Sequence, residues 1–200
     1  MWHRMEEYRP KWRDCTQFNR EILQAHSDGT GGWRFDRGEY IQNLIDTAEV
    51  LDRHNISFWA AFGTLLGLVR GDSPIEGDHD SDIAVHEDDE EKIVDLYLNP
   101  RPFELKGLLL GRASCDMMSL VRWDKEHKFC SYIDIYFFRR KIPNWLMCSC
   151  YSIDEWRIEN MWQMRKHGRV WNIPAQPESY LTETYGPDWK TPKPNACAIK

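Results

Sequence analysis

Ile41, Leu44, Ile45, Ala48 and Leu51 recur at helical spacing, which predicts a helix with one buried face. His54-Asn55 ends it, asparagine being suited to a left-handed exit. The period then changes, and Ile56 to Phe62 is a short continuous apolar run that predicts a buried strand. Gly63-Thr64 turns the chain, and Leu65 to Arg70 reads as a short apolar helix. A polar loop leads to acids at alternate positions and a second apolar segment, Ile83-Ala84-Val85. Glu87 to Glu91 place acids in the first turn of a helix ending near Leu98, where the helix dipole favours them. Asn99-Pro100-Arg101-Pro102 stops that helix. Strand-like segments follow at Phe103 to Leu110, Met117 to Trp123 and Phe129 to Phe138, the last two joined by a charged connection of hairpin length. Beyond Pro143 the pattern predicts a helix from near Asp154 to Lys166, a strand over Arg169 to Ile173 and a short helix over Glu178 to Tyr185 with Gly186 as its stop. The economical assembly is an α/β (α+β) fold, a mixed sheet of about five strands flanked by helices.

The N-terminal piece is set apart from this. Trp12, Phe18, Ile22 and Leu23 suggest a loosely patterned amphipathic helix, and Ser27 to Gly32 is a breaker. The expected organisation is an N-terminal extension over 1–35 packed on the core, then one domain over 36–200 with an irregular, proline-containing tail. Composition supports a real core: 42% of the 200 residues are hydrophobic and ten are tryptophan, which excludes wholesale disorder. The formal net charge of −6 argues against nucleic acid held on a broad basic face. It does not exclude a phosphate site, because a bound cation inverts the local field.

No apolar run approaches the roughly 18–20 residues that span a bilayer. The charged N-terminus lacks the apolar middle of a signal peptide, so the expectation is no membrane span and a cytoplasmic location by default. The six cysteines include one close pair, Cys148-Ser149-Cys150, spaced more tightly than CxxC motifs. They are read as reduced thiols, with a zinc site of Cys130, Cys148, Cys150 and a histidine as the weaker alternative.

The chemistry concentrates at Asp78, Asp80 and Asp82. In a strand, side chains at i and i+2 share a face, so Asp80 and Asp82 aim at one point, and Asp78 joins them if the extended geometry starts that early. Unpaired, such carboxylates repel one another and their pKa values rise. A hard cation such as Mg²⁺ or Mn²⁺ removes that cost by taking oxygen ligands. Asp134, the one acid in the apolar strand Tyr132 to Phe138, is the candidate to complete the cluster; its bland reading is an acid at a strand's wet end. Gly63-Thr64 opens a helix after a strand, where N–H groups and a hydroxyl can hold a phosphate, although threonine is also an ordinary N-cap. Arg70 offers a guanidinium for phosphate oxygens or for a salt bridge to these acids. No histidine lies in a hydrolase nucleophile context, and His79, between aspartates, points away by period two and receives no role.

Gly63-Thr64-Leu65-Leu66-Gly67-Leu68-Val69-Arg70 followed by Asp78-His79-Asp80-Ser81-Asp82-Ile83 resembles the signature of the LicD family. Pro177, Tyr180-Leu181, Tyr185-Gly186, Trp189 and Thr191-Pro192 resemble its closing pattern, so the likeness covers about Tyr40 to Pro192. The family includes fukutin and fukutin-related protein and shares a DNA-polymerase-β-like nucleotidyltransferase core. The resemblance implies a metal-dependent phosphotransferase that moves a phosphocholine or ribitol phosphate group from a CDP-linked donor to a glycan hydroxyl. It implies metal ligands at Asp80, Asp82 and Asp134, a base at Asp134 or Asp78, and phosphate contacts at Gly63, Thr64 and Arg70. The alternatives are a nucleotidyltransferase proper, which moves the nucleoside monophosphate, and an inactive scaffold homologue. The sequence departs from the family at Ile75-Glu76-Gly77, where Ile-Pro-Trp is usual, and at Phe62, where a glycine is frequent. The chain is short for the family, which leaves acceptor recognition to reduced elements or to a partner protein.

Overall fold

The structure, a computed structural model, describes residues 37–71, 73–76, 78, 80–98, 108–113, 117–124, 129–148 and 151–192. The expected N-terminal extension, His79, the proline stop after Leu98 and the last eight residues lie outside the described residues, as do Cys15, Cys115, Cys150 and Cys197.

The apolar stripe predicted from Ile41 becomes α1 (Arg37–Arg53), with Leu44, Ala48 and Leu51 fully buried. It packs on β2 (Asp80–His86) and β5 (Phe129–Ile142). β2 is buried along its interior and β5 carries Ile133, Ile135 and Phe137 into the core, as expected of strands covered on both faces. Between α1 and β2 come β1 (Phe58–Ala60) and α2 (Phe62–Arg70). After β2, a 3₁₀ turn at Glu87–Asp89 leads into α3 (Glu90–Leu98), followed by β3 (Leu108–Ala113) and β4 (Met117–Asp124).

The main sheet runs β1-β2-β5-β4-β3. β2 and β5 are parallel and the other neighbours in that row antiparallel, so the sheet is mixed. The far end of β5 continues past the row and pairs with β6 (Trp145–Cys148), which pairs in turn with β7 (Tyr151–Asp154). Sheet and helices together form the mixed α/β fold that the sequence predicts.

Four expectations need correction. Among the described residues the sheet has seven strands rather than about five, because β6 and β7 occupy the stretch after Pro143 that had no regular pattern. Asn144, in the turn from β5 into β6, takes a left-handed conformation, φ 69°. The helix expected over Asp154 to Lys166 is only α4 (Glu155–Glu159). Its second half is β8 (Trp162–Lys166), paired with β9 (Arg169–Ile173) in a separate hairpin. His167 and Gly168, at φ 50° and 76°, form the two-residue turn whose twist matches the strands it joins, and that local geometry outweighs the helical pattern. Finally, the strand expected to reach Phe62 stops at Ala60, and the following helix starts at Phe62 instead of Leu65.

Phe62 takes φ 40°, a region that costs a bulky residue about 1–3 kcal/mol. Packing holds it there: its ring meets Tyr136 edge-on at 4.6 Å and Tyr151 at 4.5 Å between centroids. The glycine frequent at this position in the resembled family would need no such support. The chain closes with α5 (Pro177–Tyr185), where Tyr180 and Leu181 are buried. Among the described residues no helix is long and apolar enough to cross a membrane.

Candidate metal and phosphate site

Strand register builds the acidic cluster. β2 and β5 run parallel with Asp82 opposite Asp134, and Asp80 sits two residues before Asp82 on the same face. One carboxylate oxygen from each of Asp80, Asp82 and Asp134 lies within 4.8 Å of the others. Asp82 and Asp134 are buried and Asp80 is half-buried. The three acids meet as the alternating pattern predicts, with Asp134 arriving from its distant strand.

Asp82 is held from several directions. Ala61, which precedes α2, supplies no side-chain cap, so N–H groups of the first turn are available to another acceptor. Asp82 takes that place: Gly63 N–H donates to its Oδ2 at 2.9 Å and Thr64 N–H at 3.4 Å. The Asp82 N–H donates in return to Thr64 Oγ1 at 2.7 Å. The structure therefore gives the Gly63 and Thr64 N–H groups a carboxylate partner, and Thr64 is buried at 1% exposure. Gly63 also needs its bare Cα, since a Cβ there would stand 2.8 Å from Asp78 Oδ2 and 3.2 Å from Asp82 Oδ2. Asp78 is thus a neighbour at the edge, outside the cluster of three, in the loop before β2.

Arg70 closes α2 at the end opposite Gly63, about 10 Å away along the helix axis. The Gly71 turn beyond it is left-handed, φ 94°, and ends the helix with a bond from Gly71 N–H to Gly67 O at 2.9 Å. The loop then folds back over the helix, since a Cβ on Gly67 would lie 3.2 Å from the Ser73 Cα.

Electrostatics follow from burial and like charge. Burial pushes the Asp82 carboxyl well above the usual carboxylate range, and the charges of Asp80, Asp134 and Asp78 add to it; the Thr64 N–H opposes the rise. Asp134 accepts a hydrogen bond from Ser119 Oγ, its register partner on β4. The sequence reading missed Ser119, although a lone hydroxyl residue in the apolar run Met117 to Val121 was a usable signal. It also missed Tyr136, two residues past Asp134 on the same face, and Tyr185 at the end of α5. Burial first, and then the Asp82 charge, pushes both phenols above the ordinary tyrosine range.

An all-oxygen set of this size and charge fits a hard divalent cation. Of the zinc alternative's cysteines, Cys148 is buried in the core, while Cys150 and the Cys130 side chain lie outside what the structure describes; among the described residues the carboxylate group is the metal-ligand cluster found.

The chain is similar to two curated proteins over one short stretch. It is 45% identical over 49 residues to uncharacterized protein RP689 of Rickettsia prowazekii, covering 24% of this chain and 18% of that protein. The same identity and length relate it to uncharacterized protein RT0683 of Rickettsia typhi, covering 24% of this chain and 16% of that protein. The chain thus spans less than a fifth of the length of these relatives. A far longer match joins residues 55–180 to the family described as LicD/FKTN/FKRP, nucleotidyltransferase domain, a span that takes in Gly63-Thr64, the acidic cluster and the start of the closing helix. The chain belongs to the LicD/FKTN/FKRP family.

Proposed function

We propose that this protein is a metal-dependent transferase that moves a phospho-alcohol group from a CDP-activated donor to a glycan hydroxyl. The observation that carries the reading is the meeting of Asp80, Asp82 and Asp134 oxygens within 4.8 Å on the parallel strand pair. Capping of α2 accounts for Asp82 alone, while burial and repulsion both oppose bringing Asp80 and Asp134 to it. Asp80, Asp82 and Asp134 would hold Mg²⁺ or Mn²⁺. That ion supplies charge neutralisation for a diphosphate and for the leaving CMP.

The chain's own groups do the rest. Gly63 and Thr64 fix Asp82 through their hydrogen bonds. Ser119 orients Asp134. With Asp134 tied to Ser119, the edge residue Asp78 takes the acceptor hydroxyl's proton as the new P–O bond forms and the bridging P–O bond to CMP breaks. Arg70, at the far end of α2, is left to phosphate or acceptor oxygens outside the cluster.

A donor labelled separately in its nucleoside and alcohol halves tests this. The expected result is transfer of the alcohol phosphate, with labelled CMP released, in the presence of Mn²⁺. Nucleoside label on the acceptor would replace the reading with nucleotidyl transfer. No turnover with any CDP-linked donor, together with no cation binding, would favour an inactive scaffold.

Ser119→Ala is expected to weaken Mn²⁺ binding about tenfold, as loss of a hydrogen bond behind a metal ligand does. Calorimetric titration beside wild type checks it; unchanged affinity would remove Ser119 from the site.

A further inference from the structure

Tyr40 reaches the site from α1, an element that supplies no acid to the cluster. It is 1% exposed, and its hydroxyl lies 3.3 Å from Thr64 Oγ1. A hydroxyl has one proton and two acceptor lone pairs. Thr64 Oγ1 spends one lone pair on the Asp82 N–H, and Tyr40 stands where its remaining capacity is used, with either oxygen able to donate. Phenylalanine would fill the same volume without burying a polar oxygen, so packing alone does not account for tyrosine here.

A second observation comes from the same helix. One and two turns on, Asn43 and Thr47 are fully buried, and both Asn43 amide atoms and Thr47 Oγ1 have no hydrogen-bond partner among the described residues. Residues 40, 43 and 47 share one helix face. A polar stripe thus runs along a buried part of α1 and ends at Thr64.

We propose that Tyr40 is a positioning residue that acts through Thr64 to hold the Asp82 carboxylate where a divalent cation requires it. The inference rests on the metal-site reading above. Asp80, Asp134 and Asp78 all repel Asp82, so its carboxylate moves away from them if its tether slackens. The Thr64 hydroxyl holds the backbone N–H of Asp82, which fixes the point on the strand from which the carboxylate projects, and the Tyr40 hydroxyl limits the orientations of Thr64 Oγ1. Without it, binding energy of the cation goes into recalling Asp82. The expected loss is about tenfold in affinity, as for other groups behind a metal ligand.

A double-mutant cycle on the full chain tests this, with Mn²⁺ affinity read by calorimetry and the fold of each variant followed by its cation-free melting temperature. Tyr40→Phe should bind Mn²⁺ about tenfold more weakly than wild type. Thr64→Val should bind at least as weakly, and adding Tyr40→Phe to it should cost nothing more. Thr64→Ser, which keeps the hydroxyl, should bind like wild type and lose the same factor when Tyr40→Phe is added. If Thr64→Val does not fold, Thr64→Ala takes its place in the cycle. Equal affinity of wild type and Tyr40→Phe overturns the proposal while leaving the metal site intact. So does an undiminished loss from Tyr40→Phe in the Thr64→Val background. A wild-type chain that binds no Mn²⁺ overturns this inference and the metal reading together.

Discussion

Asp82→Asn is expected to abolish divalent-cation binding and transfer while making the cation-free protein more stable. The two halves have one cause. Asp82 is buried among Asp80, Asp134 and Asp78, and its ionised form is disfavoured by burial and by all of them. Removing the charge relieves that cost, so the cation-free melting temperature should rise. The same change deletes one of the three clustered oxygens. Charge neutralisation by a bound metal is worth several kcal/mol in a transition state, so losing it predicts a fall in transfer on the order of 10³-fold or more. Mn²⁺ titration and a melting curve in chelator measure both halves. A variant that binds Mn²⁺ as wild type does would remove the proposed site.

A pH dependence follows with a definite sign. The unfolded Asp82 carboxyl titrates near its ordinary value of 3.8, and the native one titrates well above it. Below the unfolded value the group is neutral in both states, and its contribution to stability is fully present. As pH rises through the raised native value, the unfolded chain releases its proton more readily than the native one, and stability is lost. The cation-free melting temperature should therefore decline from about pH 4 upward on account of this group, and Asp82→Asn should flatten the decline. Cation binding reverses the trend, because its ligands must be deprotonated and affinity rises with pH.

Arg157→Met is the second large effect, and it falls on stability. The Arg157 side chain is 5% exposed and donates to Asp154 at 3.2 Å and Glu183 at 2.8 Å. It also donates to the carbonyl oxygens of Ala175 and Gln176, both at 3.2 Å, and to Ser179 Oγ at 3.5 Å. Its guanidinium lies over Trp156 at 4.9 Å and Tyr180 at 5.9 Å. One side chain thereby ties α4 to the start and the face of α5. Breaking a buried ion pair costs about 3–5 kcal/mol, and Glu183, at 55% exposure, can recover water, which favours the low end. A loss of about 3 kcal/mol lowers the melting temperature of a chain this size by about 6–12 °C. Lysine should not rescue it, because a single ammonium cannot satisfy a fork of acceptors. Mn²⁺ affinity should stay near wild type, since Asp80, Asp82 and Asp134 stand on the sheet. A large loss of Mn²⁺ affinity would show that the sheet site depends on α5 after all.

Where one face of an element meets one environment, the sequence was a sufficient guide. The stripe of α1 was legible because period 3.6 dictates which side is buried, the strand pair bearing the acids because short apolar runs read as strands covered on both faces, and α5 because Gly186 stops it. β9 was read as a strand over the residues it spans, but β8 was not, and so the hairpin was missed. Its strands are half exposed, and the signal lay in the backbone twist of His167-Gly168 instead of in a hydrophobic period. β6 and β7 were missed for a related reason, since exposed Trp145 and buried Leu146 alternate in a strand only four residues long.

The sequence by itself determined that Asp80 and Asp82 share a face and that such a pair could hold a cation, because alternation in a strand and repulsion between carboxylates are local facts. It also placed Gly63-Thr64 at the start of a helix. Tertiary structure alone decided what those parts touch. Parallel pairing set Asp134 opposite Asp82, and antiparallel pairing set Ser119 opposite Asp134. Packing brought α2 against the Asp82 carboxylate and Tyr40 against Thr64, so the first-turn N–H groups meet Asp82. Hydrogen-bond donors at a helix start bind whichever acceptor the fold delivers, and that delivery depends on strand register, which no local pattern encodes.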